Sequence, residues 1–142
     1  MAHHTIIVSL LCVFLLGMAC DATPIAFNGT VYADPNGDGT FLAYLPPPAI
    51  SNHAATIEQL PDGSLLLAWF SGLEEEAAGC AIAFSRLSVG TSQWRTPVIV
   101  AQRPNYSNQN PLLFYDNSTG VTHLYFSQVD RCFALIRCHN VS

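Results

Sequence analysis

The chain contains no lysine, and its five arginines (Arg86, Arg95, Arg103, Arg131 and Arg137) are scattered along 142 residues. At a net charge of −5 it offers no basic stripe to neutralise phosphates, which argues against nucleic acid as a partner. Long hydrophobic runs are also scarce. The run Ile6–Met18 is too short to cross a bilayer, so no membrane span is expected. Cysteine is sparse: five residues, with no Cys-x-x-Cys and no paired His/Cys spacing suited to zinc, so neither a metal nor another cofactor is expected. The Gly-x-Ser-x-Gly elbow of serine hydrolases and the helix-borne histidine pair of metallopeptidases are both missing. Asp34-Pro35-Asn36-Gly37-Asp38-Gly39-Thr40 begins like a calcium loop, with carboxylates at Asp34 and Asp38. Leu45 stands where an EF-hand needs its twelfth, acidic ligand, so a plain Asx/Gly turn is the favoured reading.

What is present first points outside the cell. Met1–Thr5, the apolar run and the small residues behind it outline a secretory signal peptide over 1–19, with cleavage after Ala22 as the alternative. Leu16–Cys20 has a fainter likeness to a bacterial lipoprotein signal. Asn-X-Ser/Thr sequons occur at Asn28, Asn105, Asn117 and Asn140, half of the chain's eight asparagines, and mark a secreted glycoprotein. In an oxidising compartment Cys20, Cys80, Cys132 and Cys138 could form bridges, but their pairing is not legible. Residues 20–50 read as an irregular segment with one short strand at Thr40–Leu45 and a stiff Pro46-Pro47-Pro48 spacer. Residues 51–142 read as the folded domain.

That domain is organised by a hairpin that recurs. Thr56–Leu60 and Ser64–Phe70 are apolar strands joined by Pro61-Asp62-Gly63, where proline presets φ and glycine accepts φ > 0. Leu112–Ser127 repeats the pattern, and Phe70-Ser71 and Phe126-Ser127 stand 56 residues apart. Cys80–Ser88 is echoed by Phe133–Val141 at nearly the same step, and Pro97–Val100 reads as another short strand. A period near 50 residues built from strand pairs is the size of a propeller blade. The expected fold is therefore all-β, about two four-stranded antiparallel blades, with two hairpins of a β-sandwich as the competing reading. Trp69, Phe70, Leu124 and Phe126 are expected to share an apolar layer between the blades. A polar loop is expected over Gln102–Gln109.

Over about Ser51–Gln128 the chain resembles the N-terminal part of the sialidase (neuraminidase) superfamily, and more nearly its secreted BNR-repeat-like branch. The residues that carry the likeness are His53-Ala54-Ala55-Thr56-Ile57-Glu58, Leu60-Pro61-Asp62-Gly63, Ala68-Trp69-Phe70-Ser71-Gly72 and Ser85-Arg86. Trp94, Pro97, Val100-Ala101 and Asn110-Pro111-Leu112-Leu113-Phe114 continue it. The family's Asp-box survives in degraded form: Ser88, Gly90 and Trp94 remain, with Val89 and Gln93 in place of Asp and Thr. The resemblance implies a six-bladed propeller of which this chain holds the first part, and a glycoside hydrolase acting on glycoconjugates. It places the acid/base at Glu76, within Glu74-Glu75-Glu76, and substrate contacts at His53 and Asn110. True sialidases carry an arginine where His53 stands, which bears on whether sialic acid is the sugar. A solvated acidic loop and a strand-start turn are the plain readings of Glu76 and Asn110. The tyrosine nucleophile and its glutamate would lie in later blades, so the chain alone is expected to be inactive. A non-catalytic, glycan-binding propeller is the alternative.

Expression in a eukaryotic secretory host should yield a chain with a processed N terminus whose mass drops on glycosidase treatment. An intact Met1 and an unchanged mass would refute export.

Overall fold

The computed structural model describes residues 25–130 and 134–141. The expected signal peptide, Cys20 and Cys132 lie outside them. The described residues form nine strands and no helix. A two-stranded ribbon pairs β1 (Val31–Ala33) with β2 (Phe41–Ala43). A four-stranded antiparallel meander follows: β3 (Ser51–Gln59), β4 (Leu65–Gly72), β5 (Ala81–Leu87) and β6 (Val98–Ala101). A three-stranded meander completes the fold with β7 (Ser107–Asp116), β8 (Val121–Val129) and β9 (Ala134–Val141). The second sheet thus shows three strands among the described residues where four were expected. The loop expected over Gln102–Gln109 stops short, because Ser107, Asn108 and Gln109 already pair with β8.

Local chemistry explains the hairpins. At the β3–β4 turn the Gly63 amide donates to the Leu60 carbonyl (2.9 Å), and Gly63 sits at φ +85°, a region L-residues avoid. The Asp62 carboxylate accepts the Ser64 amide at 2.8 Å and pairs with Arg86 at 3.1 Å. At the β7–β8 turn Asp116 accepts the Ser118 hydroxyl (2.7 Å), the Thr119 hydroxyl (2.7 Å) and the Ser118 amide (2.8 Å). Those bonds favour the ionised form and hold the Asp116 carboxyl down to about 2. Asp34 and Asp38 do similar work at the β1–β2 turn, accepting the amides of Asn36 and Thr40.

The two sheets are repeats in detail. β3 bulges between His53 and Thr56, and β7 bulges between Gln109 and Leu112, each pair 56 residues apart. Ala54 (φ +50°) and Asn110 (φ +49°) occupy the same left-handed position within the two bulges. Beyond the turn the step becomes 57, because the second hairpin loop is one residue longer. Ile57 pairs with Leu67, whereas Leu113 pairs with Leu124. Phe126 therefore takes the place of Trp69, and Ser127 that of Phe70.

This shift reveals how the sheets pack, and strand alternation corrects one expectation. Side chains alternate between the faces of a strand. Leu66, Ala68 and Phe70, with Ile82 and Phe84 from β5, form the front of the first sheet. They bury against Leu113, Leu124 and Phe126 of the second. Those three residues hold the positions of Ile57, Leu67 and Trp69, which lie on the back of the first sheet. The front of one sheet thus receives the back of the next. Trp69 is buried but stands outside this layer, facing the other way. That front-to-back order is consistent with successive propeller blades.

Phe126, 3 % exposed in this layer, should cost about 3–5 kcal/mol when cut to alanine, whereas Phe41, 69 % exposed on the ribbon, should cost under about 1 kcal/mol. Urea unfolding of both variants checks the contrast, and equal losses would contradict the packing described.

Candidate functional site

Both sheets start their first strand, and end their second, at the same edge of the molecule. There Asn108 Nδ2 donates to the Cys80 carbonyl (2.8 Å) and Gln128 Nε2 donates to Asn108 Oδ1 (2.8 Å). Both side chains are buried, so these bonds satisfy groups that would otherwise be costly to desolvate. Arg103 Nη1 extends the network to Gln128 Oε1 at 3.2 Å, and its guanidinium lies 4.0 Å above the Tyr106 ring.

Over this seam runs the β4–β5 loop, residues 73–80, which carries Glu76. The Cys80 thiol donates to the Glu74 carbonyl (3.2 Å), and the Gly79 amide donates to the Tyr106 carbonyl (2.8 Å), tying the loop to the second sheet. Glu76 is exposed and sits at φ +64°, a conformation that costs a non-glycine residue roughly 1–2 kcal/mol. It borders an open cleft of about 770 Å³ with Asn105, Tyr106, Ser107, Val129 and Asp130. Two carboxyl groups, a phenol ring and backbone amides are the groups that recognise the hydroxyls and ring faces of sugars.

His53 lies at the same edge but in a different setting. Its ring stacks on Phe70 at 5.5 Å, and Nε2 is 3.0 Å from the Ser51 hydroxyl. It borders an apolar cleft of about 380 Å³ on the back of the first sheet, with Phe27, Leu45, Pro47, Leu67 and Trp69. Trp69 Nε1 donates to Asn52 Oδ1 at 3.0 Å, fixing the indole. Asn110 borders neither cleft. It is the bulge residue of β7, where asparagine tolerates φ > 0 better than most side chains, so the backbone accounts for it. The structure therefore puts the three expected site residues at one edge without joining them in one pocket. Tyr106 and Asp130, which do share the cleft of Glu76, escaped the sequence reading. The available signal was the repeat itself, because Asp130 follows β8 as Leu73 follows β4.

The four sequon asparagines Asn28, Asn105, Asn117 and Asn140 are all exposed. Asn117 sits on the β7–β8 turn and Asn105 on the rim of the Glu76 cleft. Cys80 is buried and Cys138 exposed, and both are free thiols. Among the described residues no group of three or more His, Cys, Asp or Glu side chains is placed to hold a metal ion. No helix among them is long and apolar enough to cross a membrane.

Gly72, where β4 meets the loop, is fixed by close approach. A Cβ there would stand 2.6 Å from the Cys80 sulfur. Gly72→Ala should destabilise the fold by about 1–3 kcal/mol, and markedly less in a Cys80→Ala background that removes the obstacle. Thermal unfolding of the double-mutant cycle reads this directly; additive losses would disprove the contact.

Residues 63–132 match the family of BNR repeat-like domains. No curated protein and no solved structure gives a significant match to the chain. The matched stretch starts at the turn glycine Gly63 and takes in β4 to β8, so it includes the junction at which the front of one sheet meets the back of the next. That match and that architecture agree: over residues 63–132 this chain is similar to BNR repeat-like domains.

Proposed function

We propose that residues 51–142 supply two blades to a sialidase-type β-propeller that acts on glycoconjugates outside the cell. In this reading residues 1–19 direct export and Glu76 is the acid/base. The observation that carries it is the cleft in which Glu76, Tyr106 and Asp130 meet at the loop edge of two repeat-related sheets. A carboxyl group beside an aromatic ring in such a cleft is placed to pass a proton to a leaving-group oxygen when a sugar fills it. Retaining hydrolysis further requires a nucleophile and a clamp for substrate charge within the same pocket. Tyr106 is the tyrosine at the cleft, but its ring is engaged by Arg103, and that guanidinium is in turn bonded to Gln128. The described residues thus offer recognition and one half of an acid/base scheme.

A second reading, glycan binding without hydrolysis, is favoured by His53. By the resemblance it stands for a carboxylate-clamping arginine, and it borders an apolar cleft.

The test is a fluorogenic sialoside assay run beside a glycan array. The chain should show no turnover yet bind glycans, and Tyr106→Ala should weaken binding about tenfold, near 1.4 kcal/mol. Turnover abolished by Glu76→Gln would reveal a complete site and overturn the expected inactivity. Binding lost in His53→Ala but kept in Tyr106→Ala would move the site to the apolar cleft and favour the second reading. Absence of any glycan binding would refute the proposal.

A further inference from the structure

The cleft beside Glu76 has walls from both sheets, and one buried side chain is bonded toward each of them. Asn108 is fully buried near the start of β7. Its backbone amide (3.1 Å) and its Nδ2 (2.8 Å) both donate to the Cys80 carbonyl, where the β4–β5 loop enters β5. Cys80 in turn grips the loop that carries Glu76. Its amide donates to the Ala77 carbonyl (3.2 Å) and its thiol to the Glu74 carbonyl (3.2 Å). On the other side Asn108 Oδ1 accepts Gln128 Nε2 (2.8 Å) and Gln128 Oε1 accepts Arg103 Nη1 (3.2 Å). The Arg103 guanidinium then lies over the Tyr106 ring. The direct bond from the Gly79 amide to the Tyr106 carbonyl joins the two backbones but does not reach the Tyr106 ring.

The chemistry of the two ends fixes the direction of every bond between them. A peptide carbonyl only accepts and a guanidinium only donates. Asn108 must therefore turn its NH2 toward Cys80, which leaves its oxygen for Gln128. Gln128 must turn its oxygen toward Arg103, which leaves its NH2 for Asn108. The two amides thus have a single arrangement that satisfies both ends, and a carboxylate in place of either would set two acceptors face to face in a buried seam. We propose that Asn108 is the positioning residue of this cleft: through Cys80 it holds the Glu76 loop, and through Gln128 and Arg103 it holds the Tyr106 ring. One side-chain amide thereby sets the gap between carboxyl and ring. This role rests on the reading of the cleft as a sugar site, for which that gap is the dimension a pyranose ring has to fit.

Amide hydrogen exchange on the whole chain tests the role without any ligand. In Asn108→Asp at about pH 7, exchange across residues 73–80 should quicken about tenfold, while the interiors of β4 and β8 keep their protection. Lowering the pH to about 5 should restore the loop, because a buried carboxyl facing a carbonyl holds its proton to higher pH and then donates as the amide did. Asn108→Leu should stay open at both pH values. Arg103, Glu74, Glu75, Glu76 and Asp130, the charged groups of the same edge, titrate in wild type and leucine variant alike, so that comparison removes them. Protection lost evenly over both sheets, a loop unmoved by Asn108→Asp, or recovery in Asn108→Leu would overturn the proposal. If circular dichroism shows Asn108→Asp unfolded, Gln128→Glu takes its place: it keeps the bond to Arg103, opposes the Asn108 oxygen, and should open the loop with the same recovery at low pH. Glycan-array affinity of the same variants should follow the loop, weakened about tenfold at about pH 7. A wild-type chain that binds no glycan would refute the sugar reading alone, and the exchange data would still decide the role of Asn108.

Discussion

Burial of one sheet's front by the next sheet's back is the constraint on which the rest of this molecule depends. A single antiparallel meander has two faces and can solvate only one of them cheaply. The first sheet resolves this by giving Leu66, Ala68, Phe70, Ile82 and Phe84 to its neighbour and covering part of its back with Phe27, Leu45 and Pro47. The layer between the sheets fixes how β7 lies against β3. That placement brings the end of the β4–β5 loop onto the start of β7, where Asn108 can reach the Cys80 carbonyl. The edge with the polar cleft is thus positioned by apolar packing some distance from it.

Much of this was legible in the sequence, and what was not has physical reasons. The hairpins announced themselves because Pro61-Asp62-Gly63 and Asp116–Gly120 carry residues whose side chains bond their own turns. β6 and the strand near Thr40–Leu45 followed from short apolar runs. The bulges were hidden because their signature is a backbone dihedral at Ala54, a residue with no turn preference, and they broke the alternation that would have extended β3 back to Ser51. β1 is three residues long and carries no pattern. The recurring Phe-Ser pair suggested a constant step of 56, but a turn longer by one residue exchanges the faces of β8 relative to that alignment. Trp69 lies outside the layer for a simpler reason: beside Phe70 on one strand, it points to the opposite face.

The site was less legible than the fold. Glu76 and His53 were found by resemblance to the sialidase superfamily, and the structure places them at one edge but in separate clefts. Tyr106 and Asp130 sit in loops, where no periodicity announces a side chain's direction. Their grouping arises only when two sheets are packed together, a long-range consequence of the hydrophobic layer. A reading confined to local patterns does not reach it. The match to the BNR repeat-like domain family agrees with the architecture.

Asn105 stands on the rim of that same cleft, at φ +65° and exposed. A glycan attached there would be tethered by a single side chain to the wall of the cleft proposed to bind sugars. Tethering over so short a span presents a group at an effective concentration on the order of millimolar. The first sugars of such a chain would compete with any free glycan of millimolar or weaker affinity, so sequon occupancy would set the threshold that an external ligand has to exceed.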